Sequence, residues 1–337
     1  MSSHGSRARQ VGLLAVVFLA SLALLAGGTT LLGRGSTSSS ASPVASTTGT
    51  ASPPVSPSGS TRVAPSGASG DMTVVLTGAG DIADCSLAGS NQTADLLLAQ
   101  TGTVFTAGDN AYGNGSAKDY SACYAPTWGR LLDRTILPAP GNHDWNTADA
   151  AGYRAYFGST GAGPAGATWY SRDVGAWHVV VLDSSCAKVG GCDAASLQGR
   201  WLAADLAASN ARCTLAIWHH PRFSSGEHGN DPSVAPFWDI LEAAGADLIV
   251  NGHDHDYERF APQSAAGEVL RPGGIRQIVV GTGGAELRPF HSIAANSEFR
   301  QAGTYGVLRL TLHPVNYDWE FLPVSGPVAD AGSTPCH

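Results

Sequence analysis

The chain has 337 residues, of which 43% are hydrophobic and only 14% are charged, so it can bury a large core in one or two domains. Residues 1–35 contain three arginines and no acidic residue. The remainder has 16 basic and 27 acidic residues, a net charge of −11 with histidine neutral. A body this acidic lacks the basic surface that nucleic-acid binding requires, which excludes nucleic acid as a partner. An anionic substrate would need positive charge from another source, such as bound cations.

The first 35 residues have the pattern of an export signal. A basic start with Arg7 and Arg9 precedes the uncharged run VGLLAVVFLASLALLAGGTTLLG. The run is long enough to cross a bilayer, which takes ~20 residues, and its small residues also suit a signal peptidase. Residues 1–35 are therefore predicted to be either a cleaved signal peptide or a signal-anchor helix. In both cases the rest of the protein is exported, either secreted or anchored to the outer face of the cytoplasmic membrane.

Residues 36–70 form a segment rich in serine, threonine, proline, alanine and glycine, with almost no large apolar side chain. Such a composition cannot bury enough apolar surface to offset the entropy lost on ordering. We therefore expect a disordered stalk over 36–70. The folded catalytic domain is predicted to occupy residues 71–337.

Short apolar runs recur through this domain. In chain order they are MTVVLTGAGD, TVFTAGDNAY, TILPAPGNHD, HVVVLDSS, CTLAIWHH, ADLIVNGHDH and RQIVVGTGG. Their β-branched, uncharged centres are typical of buried strands. Helices are expected between them in LAGSNQTADLLLAQ, PSVAPFWDILEAAG and SLQGRWLAADLAAS, the last with Leu197, Trp201 and Leu202 on one face. The alternating tail TYGVLRLTLHPVNYDWEFLPV predicts two final strands. Strands alternating with helices indicate a layered α/β domain.

Six cysteines lie in the exported part, and an even count in an oxidising compartment predicts disulfide bonds. Cys186 and Cys192 flank the glycine-containing loop AKVGG and are the predicted pair. The sequence leaves the pairing of the other four cysteines open.

Side chains of the types that bind metal ions follow the apolar runs, at the point where each run ends. The carboxyl ends of strands in an open α/β sheet are where ligands gather. His253 and His255 are two residues apart, so in an extended segment their side chains can point the same way. Carboxylate oxygens together with imidazoles suit iron, zinc or manganese. The residues placed in this way are Asp81, Asp109, Tyr112, Asn142, His143, His219, His253 and His255.

Five sequence blocks carry a resemblance to the calcineurin-like metallophosphoesterases, and within them to the purple acid phosphatases. The blocks are GD at 80–81, GDNAY at 108–112, GNHD at 141–144, AIWHHP at 216–221 and GHDHDYER at 252–259. They occur in the family's order, and the similarity extends over nearly all of residues 73–324. The resemblance implies a four-layer α/β/β/α sandwich with a binuclear metal centre.

The resemblance also implies how the ligands divide between two metal ions. The first ion would be bound by Asp81, Asp109, Tyr112 and His255. The second would be bound by Asp109, Asn142, His219 and His253, with the Asp109 carboxylate bridging both. The first block departs from the family pattern because its third position after glycine is Ala83, which provides no ligand. Tyr112 would replace it, and its anionic oxygen favours iron(III) at the first site, with zinc, manganese or iron(II) at the second.

The implied activity is hydrolysis of phosphate monoesters by in-line attack of a metal-bound hydroxide. His143 and His228 match the family's non-ligand histidines and are candidates for binding the phosphate or protonating the leaving group. His220 either supports the ligands or is a solvated neighbour, Trp145 is a candidate wall of the substrate pocket, and Asp183 is interpreted as structural. One alternative keeps the fold but acts as a phosphodiesterase or nucleotidase. Another is a metal-containing surface binding protein without turnover.

Overall fold

The computed structural model describes residues 72–337. The predicted signal segment, 1–35, and stalk, 36–70, therefore lie outside the described residues. Between residues 72 and 337, no helix is both long and apolar enough to span a membrane. The first strand of the described residues begins at Val74.

The first of two sheets has six strands and is mixed. Its order is β13-β12-β11-β1-β2-β3. Strands β1, β2 and β3 are parallel, whereas β11, β12 and β13 run antiparallel to their neighbours. The bounds are β1 (Val74–Ala79), β2 (Thr103–Ala107), β3 (Thr135–Ala139), β11 (Gly306–Leu312), β12 (Asn316–Pro323) and β13 (Asp330–Pro335).

The second sheet has seven strands in the order β10-β8-β9-β7-β6-β5-β4. Its centre is parallel across β5, β6, β7 and β9, and the outer strands are antiparallel. The bounds are β4 (Tyr170–Val174), β5 (Trp177–Val181), β6 (Cys213–Ile217), β7 (Leu248–Asn251), β8 (Tyr257–Phe260), β9 (Arg276–Val280) and β10 (Ser297–Gln301).

The helices are short and follow the strands. They are α1 (Gly89–Leu98), α2 (Ala117–Asp119), α3 (Ala151–Phe157), α4 (Cys186–Val189), α5 (Leu197–Ala208) and α6 (Ala235–Ala243). A π-helical turn (Tyr120–Tyr124) and several 3₁₀ turns, the longest being Trp128–Arg134, fill the connections. Helix α5 begins at Leu197, and the hydroxyl of its N-cap residue, Ser196, accepts a hydrogen bond from the backbone N–H of Gly199.

The two sheets pack face to face with helices outside them. Because strand side chains alternate between faces, Val179 and Val181 of β5 join the core between the sheets, whereas Val180 packs outward with Phe237 and Leu241 of α6. On the other side, α1 contacts β11, and its Thr93 hydroxyl accepts a 2.9 Å hydrogen bond from the indole of Trp128. The four-layer α/β/β/α sandwich is therefore confirmed.

The predicted buried face of helix α5 is partly wrong. Leu202 of α5 is fully buried, but Leu197 is 68% exposed. The inward position of the first turn is taken by Gln198, whose amide oxygen accepts from the Asp183 N–H at 2.7 Å and whose amide nitrogen donates to the Asp183 carbonyl at 2.9 Å. The two predicted tail strands are confirmed as β11 and β12, and the structure adds β13.

Disulfide bonds join all six cysteines of the described part of the chain. The predicted Cys186–Cys192 pair is confirmed. The other pairs, Cys85–Cys123 and Cys213–Cys336, close much longer segments of 38 and 123 residues. The last pair connects the start of β6 in the second sheet to the residue after β13 in the first.

Candidate metal centre

The carboxyl ends of strands from both sheets meet at one edge of the sandwich. Asp81 follows β1, Asp109 follows β2, and His253 follows β7. All three have positive φ angles of 58°, 48° and 73°, a backbone conformation that non-glycine residues adopt at a cost. Gly252 allows the approach, because a Cβ there would lie 2.6 Å from Asp81 Oδ2 and 2.7 Å from the Ala107 carbonyl oxygen.

We call Asp81, Tyr112 and His255 the first lobe. The Tyr112 hydroxyl lies 2.9 Å from Asp81 Oδ1 and 3.1 Å from His255 Nε2. His255 Nε2 is also 3.4 Å from Asp81 Oδ1. The structure thus brings together three side chains that are predicted to bind the same ion.

We call Asn142, His219 and His253 the second lobe. His219 Nε2 lies 3.1 Å from Asn142 Oδ1 and 3.3 Å from His253 Nδ1. Asp109 stands between the lobes, with Oδ2 at 3.2 Å from the Tyr112 hydroxyl and at 3.2 Å from His219 Nε2. One carboxylate oxygen therefore reaches both groups of donors.

Backbone carbonyls orient two of the imidazoles. His219 Nδ1 is 2.9 Å from the Ala107 oxygen, and His255 Nδ1 is 2.6 Å from the Glu286 oxygen. A carbonyl oxygen only accepts hydrogen bonds, so Nδ1 donates in both rings, and neutral rings keep a lone pair on Nε2 facing the lobes. A ligand histidine held by its other nitrogen is the usual arrangement at metal sites.

The charges of this buried cluster favour a cation. Burial disfavours protonation of His219, yet the carboxylates of Asp109 and Asp81 outweigh it and raise the pKa of His219 to about 10. Burial raises the pKa of Asp109, but His219 and His143 hold that pKa well below its usual range. Burial and the neighbouring histidines depress the pKa of His253, which therefore remains a neutral donor. The carboxylates attract positive charge into the site, as a proton or as a metal ion.

The donor set fits metal binding. Asp81, Asp109 and His219 each place a ligand atom within 4.8 Å of the others, and so do His219, His220 and His253. Burial, together with the carboxylates of Asp81 and Asp109, raises the pKa of Tyr112 well above its ordinary value, so the phenol keeps its proton in the protein alone. Only a strongly polarising cation would displace that proton.

His143 and His228 lie at the margin of the cluster. His143 Nδ1 is 2.7 Å from the Gly113 oxygen, and its Nε2 is directed inward, 3.9 Å from Asp109 Oδ2. Its side chain is 33% exposed, which leaves it open to a ligand. The His228 ring stacks on His253 with 4.2 Å between ring centroids. Both candidates therefore adjoin the predicted ligands without belonging to either lobe.

His220 lies inside the site. Its ring is 4.3 Å from that of His253, and its Nδ1 is 2.8 Å from the Ser184 hydroxyl. Burial and the neighbouring His219 lower the pKa of His220 to about 4, so it is a neutral support for the ligands. Sequence reasoning missed Ser184 and also Arg288, whose Nη1 lies 2.9 Å from His228 Nε2. Neither belongs to one of the five blocks. Ser184 lies at the end of the apolar run HVVVLDSS, which was an available signal, whereas no sequence signal marks Arg288.

Trp145 and Asp183 have a structural role in the loop after β3. Trp145 is buried, and its indole N–H donates to Asp183 Oδ2 at 2.9 Å. Asp183 also accepts from the Thr168 hydroxyl and from the Ser185 N–H. These contacts support the structural interpretation of Asp183, and Trp145 anchors the loop that carries His143.

Comparison with known proteins finds relatives among the purple acid phosphatases. Purple acid phosphatases 15 and 21 of Arabidopsis thaliana are each 28% identical, over 54% and 59% of this chain. The chain spans only 40% and 51% of their lengths. A solved structure of purple acid phosphatase PPD1 from yellow lupin seeds has the same fold, with a TM-score of 0.65, 19% identity, and coverage of 77% of this chain and 53% of that one.

A second solved structure, GAP50, the anchor in the inner membrane complex of Plasmodium, also shares the fold. Its TM-score is 0.59 at 15% identity, covering 79% of this chain and 89% of that one. The family model for calcineurin-like phosphoesterases matches residues 76–257, which is more than half of the chain. The chain therefore belongs to the calcineurin-like phosphoesterase family, and the Arabidopsis relatives that it resembles are purple acid phosphatases.

Proposed function

We propose that this protein is an exported, metal-dependent hydrolase of phosphate monoesters. The observation that carries the proposal is the position of Asp109, whose Oδ2 lies 3.2 Å from the Tyr112 hydroxyl and 3.2 Å from His219 Nε2. Two nearby cations repel each other, and a carboxylate between their ligand sets offsets that repulsion. The similarity of this chain to purple acid phosphatases supports a binuclear metal centre.

The first lobe with Asp109 would hold iron(III), and the second lobe with Asp109 would hold zinc, manganese or iron(II). The first set provides two carboxylates, a phenolate and one imidazole, and three anionic oxygens favour a hard, highly charged ion. The second set is an amide oxygen, two imidazoles and the shared carboxylate, which suits a divalent ion. Bound ions would supply Lewis acidity and lower the pKa of a water molecule that attacks phosphorus.

The surrounding residues would act on the substrate. His143 donates from Nδ1 to the Gly113 oxygen, so a proton carried on Nε2 is directed into the site. We assign to His143 the protonation of the leaving alkoxide or the binding of a phosphoryl oxygen. His228 is assigned to phosphate binding, because its ring stacks on the proposed ligand His253.

Hydrolysis of p-nitrophenyl phosphate and of bis(p-nitrophenyl) phosphate by the full chain, reconstituted with iron and zinc, tests the proposal. We expect a higher kcat/KM for the monoester. The opposite preference would favour the phosphodiesterase alternative. Two bound metal ions per chain without turnover of either compound would favour the metal-containing binding protein.

Export is supported by the N-terminal sequence pattern together with three disulfide bonds, which persist in oxidising compartments. Fractionation of cells that express the full chain tests it. Activity in the medium indicates cleavage of the signal, and activity in the membrane fraction indicates anchoring. Protein confined to the cytosol with free thiols would contradict export.

A further inference from the structure

Arg288 places a cationic group beside the candidate metal centre. Its Nη1 lies 2.9 Å from His228 Nε2, and His228 in turn stacks on His253 at 4.2 Å. The backbone N–H of Arg288 donates to the His255 carbonyl at 3.1 Å, which ties its loop to the segment that carries two proposed ligands. Arg288 therefore belongs to the site, and the His228 ring lies between it and His253.

This contact determines the hydrogen-bonding state of His228. A guanidinium only donates hydrogen bonds, so His228 Nε2 accepts from Arg288 and the ring proton is on Nδ1. His228 Nε2 is thus occupied and cannot protonate a leaving group while the contact holds. His143 Nε2, in contrast, has no protein hydrogen bond among residues 72–337.

The Arg288 guanidinium has further N–H groups that can donate hydrogen bonds to a ligand. Its Nε faces Glu227 Oε2 at 3.4 Å, which is an ion pair rather than a hydrogen bond, and Nη1 bonds His228. Within the described residues, Nη2 makes no hydrogen bond to the protein. The Arg288 side chain is 29% exposed and the Glu227 side chain 47% exposed, so a ligand can reach both.

We propose that Arg288 determines specificity by binding a second phosphoryl group of the substrate, which makes diphosphates better ligands than single phosphates. The proposal rests on the proposed function of the same site, because the first phosphoryl group is taken to lie at the metal centre, against His228. The planar fork of arginine matches phosphate oxygens with paired donors. Glu227 competes with the ligand for Arg288, because its carboxylate forms an ion pair with the same guanidinium.

Binding of orthophosphate and of methylenediphosphonate, a diphosphate that cannot be hydrolysed, tests the proposal without requiring turnover. Isothermal titration of the metal-loaded full chain gives both Kd values, and metal analysis afterwards checks that the diphosphonate has not removed the ions. The variants are Arg288→Gln and Glu227→Gln. The control is Arg130→Gln, because Arg130 is similarly exposed at 36% and pairs with Asp95 of α1, and neither side chain hydrogen-bonds to a proposed ligand.

We expect the native protein to bind the diphosphonate more tightly than orthophosphate. Arg288→Gln should reduce that preference by ~10-fold or more, the usual size of a lost charged hydrogen bond. Glu227→Gln should increase it by ~2–5-fold, because a competing surface ion pair is removed. The opposite signs separate the effect from a folding defect. Arg130→Gln should leave the preference unchanged.

An unchanged preference in Arg288→Gln, or an equal loss of affinity for both ligands, would overturn the proposal. Hydrolysis assays on the same preparations separate this result from the proposed function. Absence of turnover with every phosphate ester would refute the hydrolase, whereas the titrations would still decide the role of Arg288.

Discussion

The hydroxyl of Tyr112 donates a 2.9 Å hydrogen bond to Oδ1 of Asp81, across 31 residues of sequence. The two residues follow neighbouring parallel strands, β2 and β1, so their loops meet at the same edge of the sheet. The phenol thus lies where an anionic oxygen would complete a set of hard ligands. This contact makes the tyrosine the most informative residue for the identity of the metal.

Tyr112→Phe should remove a visible absorption band while retaining the second metal ion. Protein loaded with iron and a divalent ion should be coloured, because a phenolate bound to iron(III) absorbs in the visible through charge transfer. Absorption spectra and metal analysis of the native protein and the variant measure both effects. A fully active, colourless native enzyme that contains only divalent ions would show that activity does not require an iron(III)–Tyr112 bond.

Asp109→Asn should release at least one metal ion and reduce kcat/KM by ~10²-fold or more, a loss typical of removing a group that stabilises charge in the transition state. The amide keeps the shape of the side chain but removes the negative charge between the two lobes. Metal content and hydrolysis of p-nitrophenyl phosphate are the measurements. Asp95→Asn, on the exposed side of α1, is the control. Two ions per chain with native turnover in Asp109→Asn would rule out bridging.

His143→Ala should keep both metal ions and lose ~10²–10⁴-fold in turnover, the range for removal of a general acid or base. The side chain faces Asp109 across 3.9 Å but contributes no atom to either lobe. Metal analysis combined with steady-state kinetics separates the two roles. The matched control is His291→Ala, an exposed histidine with no predicted role in the chemistry. Loss of metal from His143→Ala would instead place this residue among the ligands.

The stability of the protein should depend on pH through His178. This buried ring lies 2.8 Å from Asp205 of α5 and 2.9 Å from Asp173 of β4, and the Asp205 bond in particular raises its pKa although burial opposes protonation. A raised folded pKa means that the stabilisation is complete below the unfolded value of about 6.5 and disappears as pH rises through the folded pKa.

The Tm difference between native protein and His178→Gln should therefore be large in mildly acidic buffer and shrink as pH rises. Thermal unfolding of both proteins across a pH series provides the measurement. A Tm difference that stays constant across the series would show that the ring contributes packing alone.

The sequence by itself determined the chemical character of the site. Asp81, Asp109 and His253 each follow an apolar strand, and strand ends of an α/β sheet meet at one edge for reasons of chain geometry alone. Local patterns were likewise sufficient for the short Cys186–Cys192 bridge and for the alternating strands β11 and β12. The predictions of this disulfide and of these two strands were correct because each depends on a few neighbouring residues.

Only the tertiary structure decided contacts between distant segments. Arg288 meets His228 across 60 residues, and Cys213 meets Cys336 across 123, without any periodicity that would pair them. The exposure of Leu197 had the same origin, because Gln198 turned inward to satisfy the buried backbone of Asp183 on another segment. Such contacts depend on how segments that are distant in sequence pack against one another, and this packing depends on the whole chain at once, whereas a strand end depends only on its own residues.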